Sequence, residues 1–445
     1  MTKIEIGKKA KGIILRDHKV IINTTREIYP LVVEKADGDY IYDVDGNKYI
    51  DFSTFISVYN LGYNIKEIKE AIKNQLDLLM HGAFTDFYSE LPVRFAERLL
   101  ELMPNGFGKI FFSNSGTEAN EAAIKIAKYF SRRLYIMGFY NSFHGRTRGS
   151  LAVTSSKNVQ RAHFGPFPDV IHVPYPYCYR CPFKQSYPEC GFACIEYIKE
   201  YPLKREVSPE EVAAFIVEPI QGEGGYIVPP KDYFKELKRI LDDYGILLID
   251  DEVQAGYMRT GKFLALDNFD VTADIYTMAK AIGGGLPLGA TIIKRDLGDL
   301  PEGAHASTFG GNLLSIAAAD AALKYLIDNK REIERGIKQR SSIIMKRLEE
   351  LKERYEIVGD VRGIGLMIGV EFVKSKKTKE PNVKARDAVL EEAFYNGLVM
   401  LPAGESTIRI IPSFNISIDT LNQGLDILEE AVKFADSNYR SDKKA

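Results

Sequence analysis

The 445-residue sequence has no apolar run approaching the roughly 20 residues of a membrane span, so no transmembrane helix is expected. It has no excess of either charge: 59 Lys and Arg stand against 61 Asp and Glu, a net charge of −2. A balance so near neutral gives no general attraction to nucleic acid or to an anionic membrane, and neither is expected as a partner. Cysteines are few. The four of them fall together at positions 178, 181, 190 and 194. There is no internal repeat and no low-complexity block. With 45% hydrophobic and 27% charged residues, the composition excludes disorder, a collagen-like repeat or a coiled coil as the main architecture. Residues 1–11 are basic but contain no apolar h-region, so no signal peptide is expected and the cytoplasm is the expected location. The length suits two domains, or one large domain with a smaller partner.

What is present alternates. Residues 31–34, 40–43 and 48–51 read as strands of a β-meander, with Asp37-Gly38 and Asp45-Gly46 as turn pairs. Helical spacing follows at 65–79 and 91–102. Short apolar runs at 109–112, 134–137, 212–217 and 246–249 then alternate with helical stretches at 118–130 and 233–244, the pattern of an α/β domain with a largely parallel sheet. Residues 316–353 predict one or two long helices leading out of that domain. Beyond them a second α+β pattern appears: a glycine-punctuated strand at 363–372, a helix at 385–395, strands at 398–400 and 408–411, and a closing helix at 417–434. The polar tail 436–445 is expected to fray. The domain boundaries expected are 1–64 for the N-terminal part of the small domain, 65–334 for the large domain and 335–445 for the rest of the small one.

Three constellations carry chemistry. In Asp274-Ile275-Tyr276-Thr277-Met278-Ala279-Lys280, followed by Gly283-Gly284-Gly285, a lysine stands at the end of an apolar strand, where α/β proteins place their ligands. Most lysines are solvated surface charges, but a partly buried one can form a Schiff base. In Ile246-Leu247-Leu248-Ile249-Asp250-Asp251-Glu252, three acids follow a strand; they are either first-turn helix acids or a carboxylate aimed at a cationic ligand. Ser113-Asn114-Ser115-Gly116-Thr117-Glu118 follows a strand and opens a helix, the makings of an anion site or simply a cap. Together they describe one ligand: a phosphate at the helix start, a ring nitrogen facing a carboxylate and an aldehyde on the lysine. Those are the parts of a pyridoxal 5′-phosphate site.

With these residues in view, the sequence resembles the class III (ω-type) aminotransferases of pyridoxal-phosphate fold type I. The matching stretches run from Asp51 to Pro412: Ser115-Gly116-Thr117-Glu118-Ala119, Phe143-His144-Gly145-Arg146-Thr147, Glu218-Pro219-Ile220-Gln221-Gly222-Glu223, Asp251-Glu252-Val253-Gln254, Lys280 and Ser307-Thr308-Phe309-Gly310-Gly311-Asn312. The resemblance implies a large domain with a mostly parallel sheet, plus a small α+β domain built from the N- and C-terminal segments. It implies that Lys280 carries the cofactor and moves the proton, and that Asp251 keeps the pyridine nitrogen protonated. Gln254 would bond the ring's phenolic oxygen, and Phe143 would stack on the ring with His144 beside it. Ser115, Gly116 and Thr117 would hold the phosphate, and Thr308 would reach the phosphate of a neighbouring subunit in a homodimer with shared sites.

For substrate, the resemblance to 4-aminobutyrate and ornithine aminotransferases implies that Arg146 binds a carboxylate and Arg409 the α-carboxylate of glutamate. Glu223 would pair with Arg409 when an ω-amino substrate is bound, and Ile56 would line the same pocket. A fixed structural Glu–Arg pair is the plainer alternative. The expected reaction moves the amino group of an ω-amino acid to 2-oxoglutarate by a ping-pong mechanism. Some relatives instead racemise or epimerise amino acids with the same cofactor parts. Glu223, where the racemases compared carry aspartate, favours transamination.

The chain departs from the family pattern at Met258, where glycine is usual, at Tyr63, where histidine is usual, and at Asn312-Leu313-Leu314, which lacks a proline. The cysteines resemble an insertion in archaeal members. Their spacing fits a zinc site, two disulfides or plain thiols, so no metal is assigned. Gly363-x-Gly365-x-x-x-Gly369 lacks the spacing of a dinucleotide fingerprint, and the basic run 374–379 reads as a solvated hairpin tip.

Overall fold

The computed structural model describes residues 3–24 and 28–440. The chain divides into two compact units, 66–334 and a second made of 1–65 with 335–445. The larger unit is built on a seven-stranded sheet in the order Phe107–Ser113, Gly289–Lys294, Ile275–Met278, Leu247–Asp251, Val212–Val217, Tyr135–Phe139, Val170–Val173. Five neighbouring strands run parallel, and only Gly289–Lys294 opposes its two neighbours. All six residues of the central strand Val212–Val217 are buried. That explains its unbroken apolar run, since a parallel strand covered on both faces shows no alternation. The helix Tyr233–Tyr244 stops at Gly245, whose φ of +63° closes the C-terminus in the left-handed region. A core of Ala123, Ile126, Ala127, Ile136, Ala214, Ile216 and Ile249 packs the helix Gly116–Ser131 onto the sheet.

The long helical stretch, expected as one or two helices, is two, Leu313–Asp328 and Lys330–Arg354, separated at Asn329. Two expectations need correction. The stretch read as one glycine-punctuated strand is a hairpin of Val358–Ile364 and Met367–Phe372; Gly365, at φ +60°, turns the chain. The closing helix runs on from Ile418 to Tyr439, past residue 434 where it was expected to end, and Ala435 continues its buried face there. Of the tail expected to fray, 441–445 lie outside the described residues, as do residues 1 and 2 at the start. Among the described residues no helix is long and apolar enough to cross a membrane.

The smaller unit holds two four-stranded sheets. One joins Val33–Asp37, Tyr40–Asp43 and Lys48–Asp51 to Leu398–Val399. The other runs Val358–Ile364, Met367–Phe372, Thr407–Ile410, Leu401–Ala403. After Asp51 the backbone does something costly. Thr54, Phe55, Ile56 and Ser57 all have positive φ, between 44° and 64°. Each L-residue in that region costs about 1–2 kcal/mol. The buried Asp51 carboxylate holds the turn: Oδ1 accepts from the Ser53 amide (2.7 Å) and hydroxyl (2.6 Å), and Oδ2 from the Thr54 amide (2.8 Å). Oδ2 also accepts from the Tyr63 hydroxyl. The tyrosine that departs from the family pattern therefore completes this hub, and the turn presents Ile56 at 39% exposure. Tyr63→Phe should destabilise the protein by about 1–3 kcal/mol, the cost of a buried polar group losing a partner. A denaturant midpoint equal to wild type would show that the hydroxyl contributes nothing.

Candidate active site

Five of the segments singled out for chemistry in the larger unit leave the same edge of the sheet. Ser113 ends one strand, Phe139 another, Val217, Asp251 and Met278 three more. This is the carboxyl edge of the parallel set, where crevices for ligands form.

Strand alternation separates the three acids. Asp251, 4% exposed, turns towards the helix Gly116–Ser131. Its Oδ2 accepts from Asn120 Nδ2 at 2.7 Å and from His144 Nδ1 at 2.8 Å, and its Oδ1 from the Val253 amide at 3.0 Å. Asn120 is fixed in turn: its Oδ1 accepts from the Thr277 hydroxyl (2.7 Å) and its Nδ2 also reaches the His144 carbonyl (2.7 Å). Asp250 and Glu252 belong to the opposite side, where Glu252 Oε1 accepts the Leu266 amide at 3.0 Å. Burial pushes both up, Glu252 to about 7. They support the 265–269 turn, which leaves Asp251 as the acid on the side of the other site residues.

Asp251 orients the His144 imidazole. With Nδ1 on a carboxylate, that nitrogen carries the proton, and Nε2 is buried with no hydrogen-bond partner among the described residues. Glu218 lies nearby and accepts the Phe143 amide (2.8 Å) and the Gly222 amide (2.9 Å). Burial raises it to about 7 against the pull of His144, with the Asp251 charge adding to the rise. Gln254 Oε1 accepts from the hydroxyl of buried Tyr226 at 2.6 Å.

Ser115 caps the helix Gly116–Ser131, accepting from the Glu118 amide at 3.4 Å. Glu118 reaches back to the Asn114 amide at 2.8 Å, a variant of the capping box. The amides of Gly116 and Thr117, at the helix start, have no intrahelical acceptor and form the positive end of the dipole. A Cβ at Gly116 would fall 2.8 Å from Val253 Cγ1, so only glycine lets the loop after Asp251 pack there. Thr117 Oγ1 contacts Ser150 Oγ at 2.5 Å and accepts the Arg146 amide at 3.2 Å, tying the 143–150 loop to the helix start. Phe143 is half-buried, and the exposed Arg146 guanidinium lies over its ring at 5.3 Å.

Lys280 follows its strand by two residues, half-buried, at φ +51°. A non-glycine residue held there stores about 1–3 kcal/mol of strain, and such residues concentrate at functional sites. Ser307 Oγ accepts Asn114 Nδ2 at 3.1 Å, so the turn carrying exposed Thr308 lies beside the capped helix start of its own chain. Glu223, half-buried, pairs with Lys157 at 2.5 Å. Met258 is 1% exposed at φ +67°, a strained conformation that glycine would hold without cost. Ile56 and Arg409 belong to the smaller unit; Arg409 is 6% exposed and its Nε donates to the Pro402 carbonyl at 3.1 Å.

Sequence reasoning assigned no role to Asn120, Thr277, Tyr226 or Lys157. Asn120 had a signal, being the one polar residue in the buried row Ala119, Ala122, Ala123. Lys157 had none.

These parts fit pyridoxal 5′-phosphate. A buried carboxylate, a buried imidazole nitrogen without a protein partner, a helix start with open amides and a lysine meet at one sheet edge. A family model for class-III aminotransferases matches residues 21–432. The chain is 40% identical to a leucine/methionine racemase of Thermococcus litoralis over 95% of its length and 96% of that protein's. It is 35% identical to a probable 4-aminobutyrate aminotransferase of Bacillus subtilis, over 90% and 92%. Among solved structures, a taurine:2-oxoglutarate aminotransferase from Bifidobacterium kashiwanohense in complex with pyridoxal phosphate and glutamate superposes with a TM-score of 0.89 at 30% identity, covering 98% of this chain and all of that one.

Proposed function

The chain belongs to the class-III aminotransferase family, whose cofactor is pyridoxal 5′-phosphate, and from that premise we propose that it transfers the amino group of an ω-amino acid to 2-oxoglutarate. The donor class is 4-aminobutyrate or ornithine and their acylated relatives. When bound, the cofactor supplies the electron sink that weakens the bond between Cα and its hydrogen. The protein supplies the rest. Lys280 Nζ takes the hydrogen of the carbon bearing the amine as a proton and returns it elsewhere. The Asp251 carboxylate would keep a proton on the ring nitrogen of the bound cofactor. Asn120 and His144 hold that carboxylate in place, Gln254 would bond the ring's phenolic oxygen and Phe143 would stack on its face. The amides and hydroxyls of Ser115 to Thr117 bind the phosphate. Thr308 of one subunit completes the site of its neighbour in a cytoplasmic homodimer.

The observation that supports transamination is the environment of Glu223. A half-buried carboxylate paired with Lys157 at 2.5 Å has an alternative partner, so it can change partners between the two halves of a reaction. Arg409 grips the α-carboxylate of glutamate in one half, and Glu223 neutralises that arginine in the other; Arg146 holds the carboxylate of the ω-amino donor, in a pocket lined by Ile56. Arg409→Ala should lower kcat/KM for 2-oxoglutarate by about 10- to 100-fold, the 1.5–3 kcal/mol of a hydrogen bond to a charged group, and spare the ω-amino donor. Equal losses on both would remove the exchange.

A second reading is racemisation, favoured by the 40% identical racemase. One experiment separates them: holoenzyme mixed with single amino acids and no oxo acid. Stoichiometric loss of the cofactor band, with an oxo product, establishes transamination and names the donor. A persistent band while an L-amino acid loses optical activity establishes a racemase.

A further inference from the structure

The four cysteines play no part in this chemistry, yet they gather at one place in the larger unit. Between the strand Val170–Val173 and the helix Ala193–Glu200, the chain forms only one short helical turn, Cys178–Arg180. Cys178 opens that turn and Cys181 ends it. Cys190 lies in a pair of turns, its amide on the Ser186 carbonyl (2.8 Å) and its carbonyl accepting the Ala193 amide (3.1 Å). Cys194 is in the first turn of the helix. All four line a single cavity of about 20 Å³, walled by Tyr175, Phe183, Phe192 and Pro230 among others. That is room for one water-sized occupant. None of the four is in a disulfide.

A stretch of this length without helix or strand is uncommon inside a compact domain and calls for a staple of its own. A thiol coordinated to a cation ionises outright, so a cation among the four would hold them as thiolates.

We propose that Cys178, Cys181, Cys190 and Cys194 together bind one thiophilic divalent cation, zinc, as a structural staple of the 174–192 segment. Soft thiolates select zinc over hard cations, and an all-sulfur tetrahedral set leaves no open position, so the role is structural. Each thiol gives up its proton to solvent and nothing is oxidised. Among the described residues no three His, Cys, Asp or Glu side chains already stand together as a metal site. The cation therefore has to draw the 190–194 pair towards the 178–181 turn. The connecting residues 182–189 carry no helix or strand to oppose this, and metal binding that orders its own ligands is common in small sites. The staple bears on the catalytic loop through Tyr175, whose hydroxyl donates to the Pro219 carbonyl at 3.0 Å, next to Glu218.

The test uses full-length holoenzyme purified without chelator. Metal is measured by mass spectrometry, and thiols by Ellman titration of the denatured chain with and without reductant. The expected result is about one zinc per chain that survives dialysis against EDTA, with all four thiols titrating without reductant. Cys178→Ser and Cys190→Ser should each lose the zinc while still binding pyridoxal phosphate, and should unfold at lower temperature. Three results would overturn the proposal: no metal with four titrating thiols, thiols that appear only after reduction, or iron with its visible absorption in place of zinc. The wild-type measurement decides even if a variant does not fold.

Discussion

Lys280→Ala is expected to have no measurable turnover, a loss of at least about 10⁴-fold, because the group that both carries the cofactor and moves the proton is gone. The cofactor's absorption band, which depends on a bond to that amine, should be missing from the purified variant. Lys280→Arg tests the chemistry more sharply. It keeps the charge and length, but a guanidinium stays protonated and cannot act as a base. It should be as inactive as the alanine variant. Backbone strain supplies a control. Lys280 sits at φ +51°, where glycine is unstrained. Lys280→Gly should therefore be inactive but at least as stable as wild type, by up to about 1 kcal/mol. Measured together, turnover and unfolding midpoint separate a lost reagent from a damaged fold. Activity above about a hundredth of wild type in any of the three would remove Lys280 from the mechanism.

The sequence carried the identities at the sheet edge because each follows an apolar strand: Ser113, Asp251 and Lys280 are all announced by the run before them. The apolar run alone could not choose among Asp250, Asp251 and Glu252; only the family resemblance singles out Asp251. The choice depends on strand register, which the helix Gly116–Ser131 sets by placing Asn120 against Asp251. Gly365 looked like a small residue within a strand, and only the pairing of Val361 with Val370 shows a hairpin there. Lys157 lies 66 residues from Glu223 in the chain, and no local pattern relates them. The left-handed turn at 54–57 was hidden for a different reason. Thr, Phe, Ile and Ser there carry no turn signal, because the turn is imposed by the buried Asp51 rather than by its own residues.

Asp251→Asn is the second large effect expected, a fall in kcat on the order of 10³-fold with the fold retained. The substitution keeps the shape and removes the charge. Three donors now converge on the carboxylate: the Val253 amide on Oδ1, and Asn120 Nδ2 with His144 Nδ1 on Oδ2. An asparagine has one acceptor oxygen, so its NH₂ must oppose a donor whichever way it is turned. Turned to the Oδ1 side, the NH₂ opposes the Val253 amide alone; turned to the Oδ2 side, it opposes both Asn120 Nδ2 and His144 Nδ1, so the first arrangement costs less and leaves the remaining oxygen to accept from Asn120 and His144. The variant thus loses the negative charge that, on the proposed mechanism, keeps a proton on the ring nitrogen, while the imidazole keeps its orientation. Cofactor should still bind, since the phosphate contacts proposed for Ser115 to Thr117 are untouched; a spectral titration checks this. The neighbouring acid is the control. Asp250 is fully buried on the other side of the same strand, where burial already favours its neutral form. Asp250→Asn should therefore leave kcat within about threefold of wild type, because no charge near the reacting atoms changes. Similar kinetic losses in the two variants would mean that strand register does not assign the charge. Retention of a tenth or more of kcat in Asp251→Asn would mean that the protonation of the ring does not depend on this carboxylate.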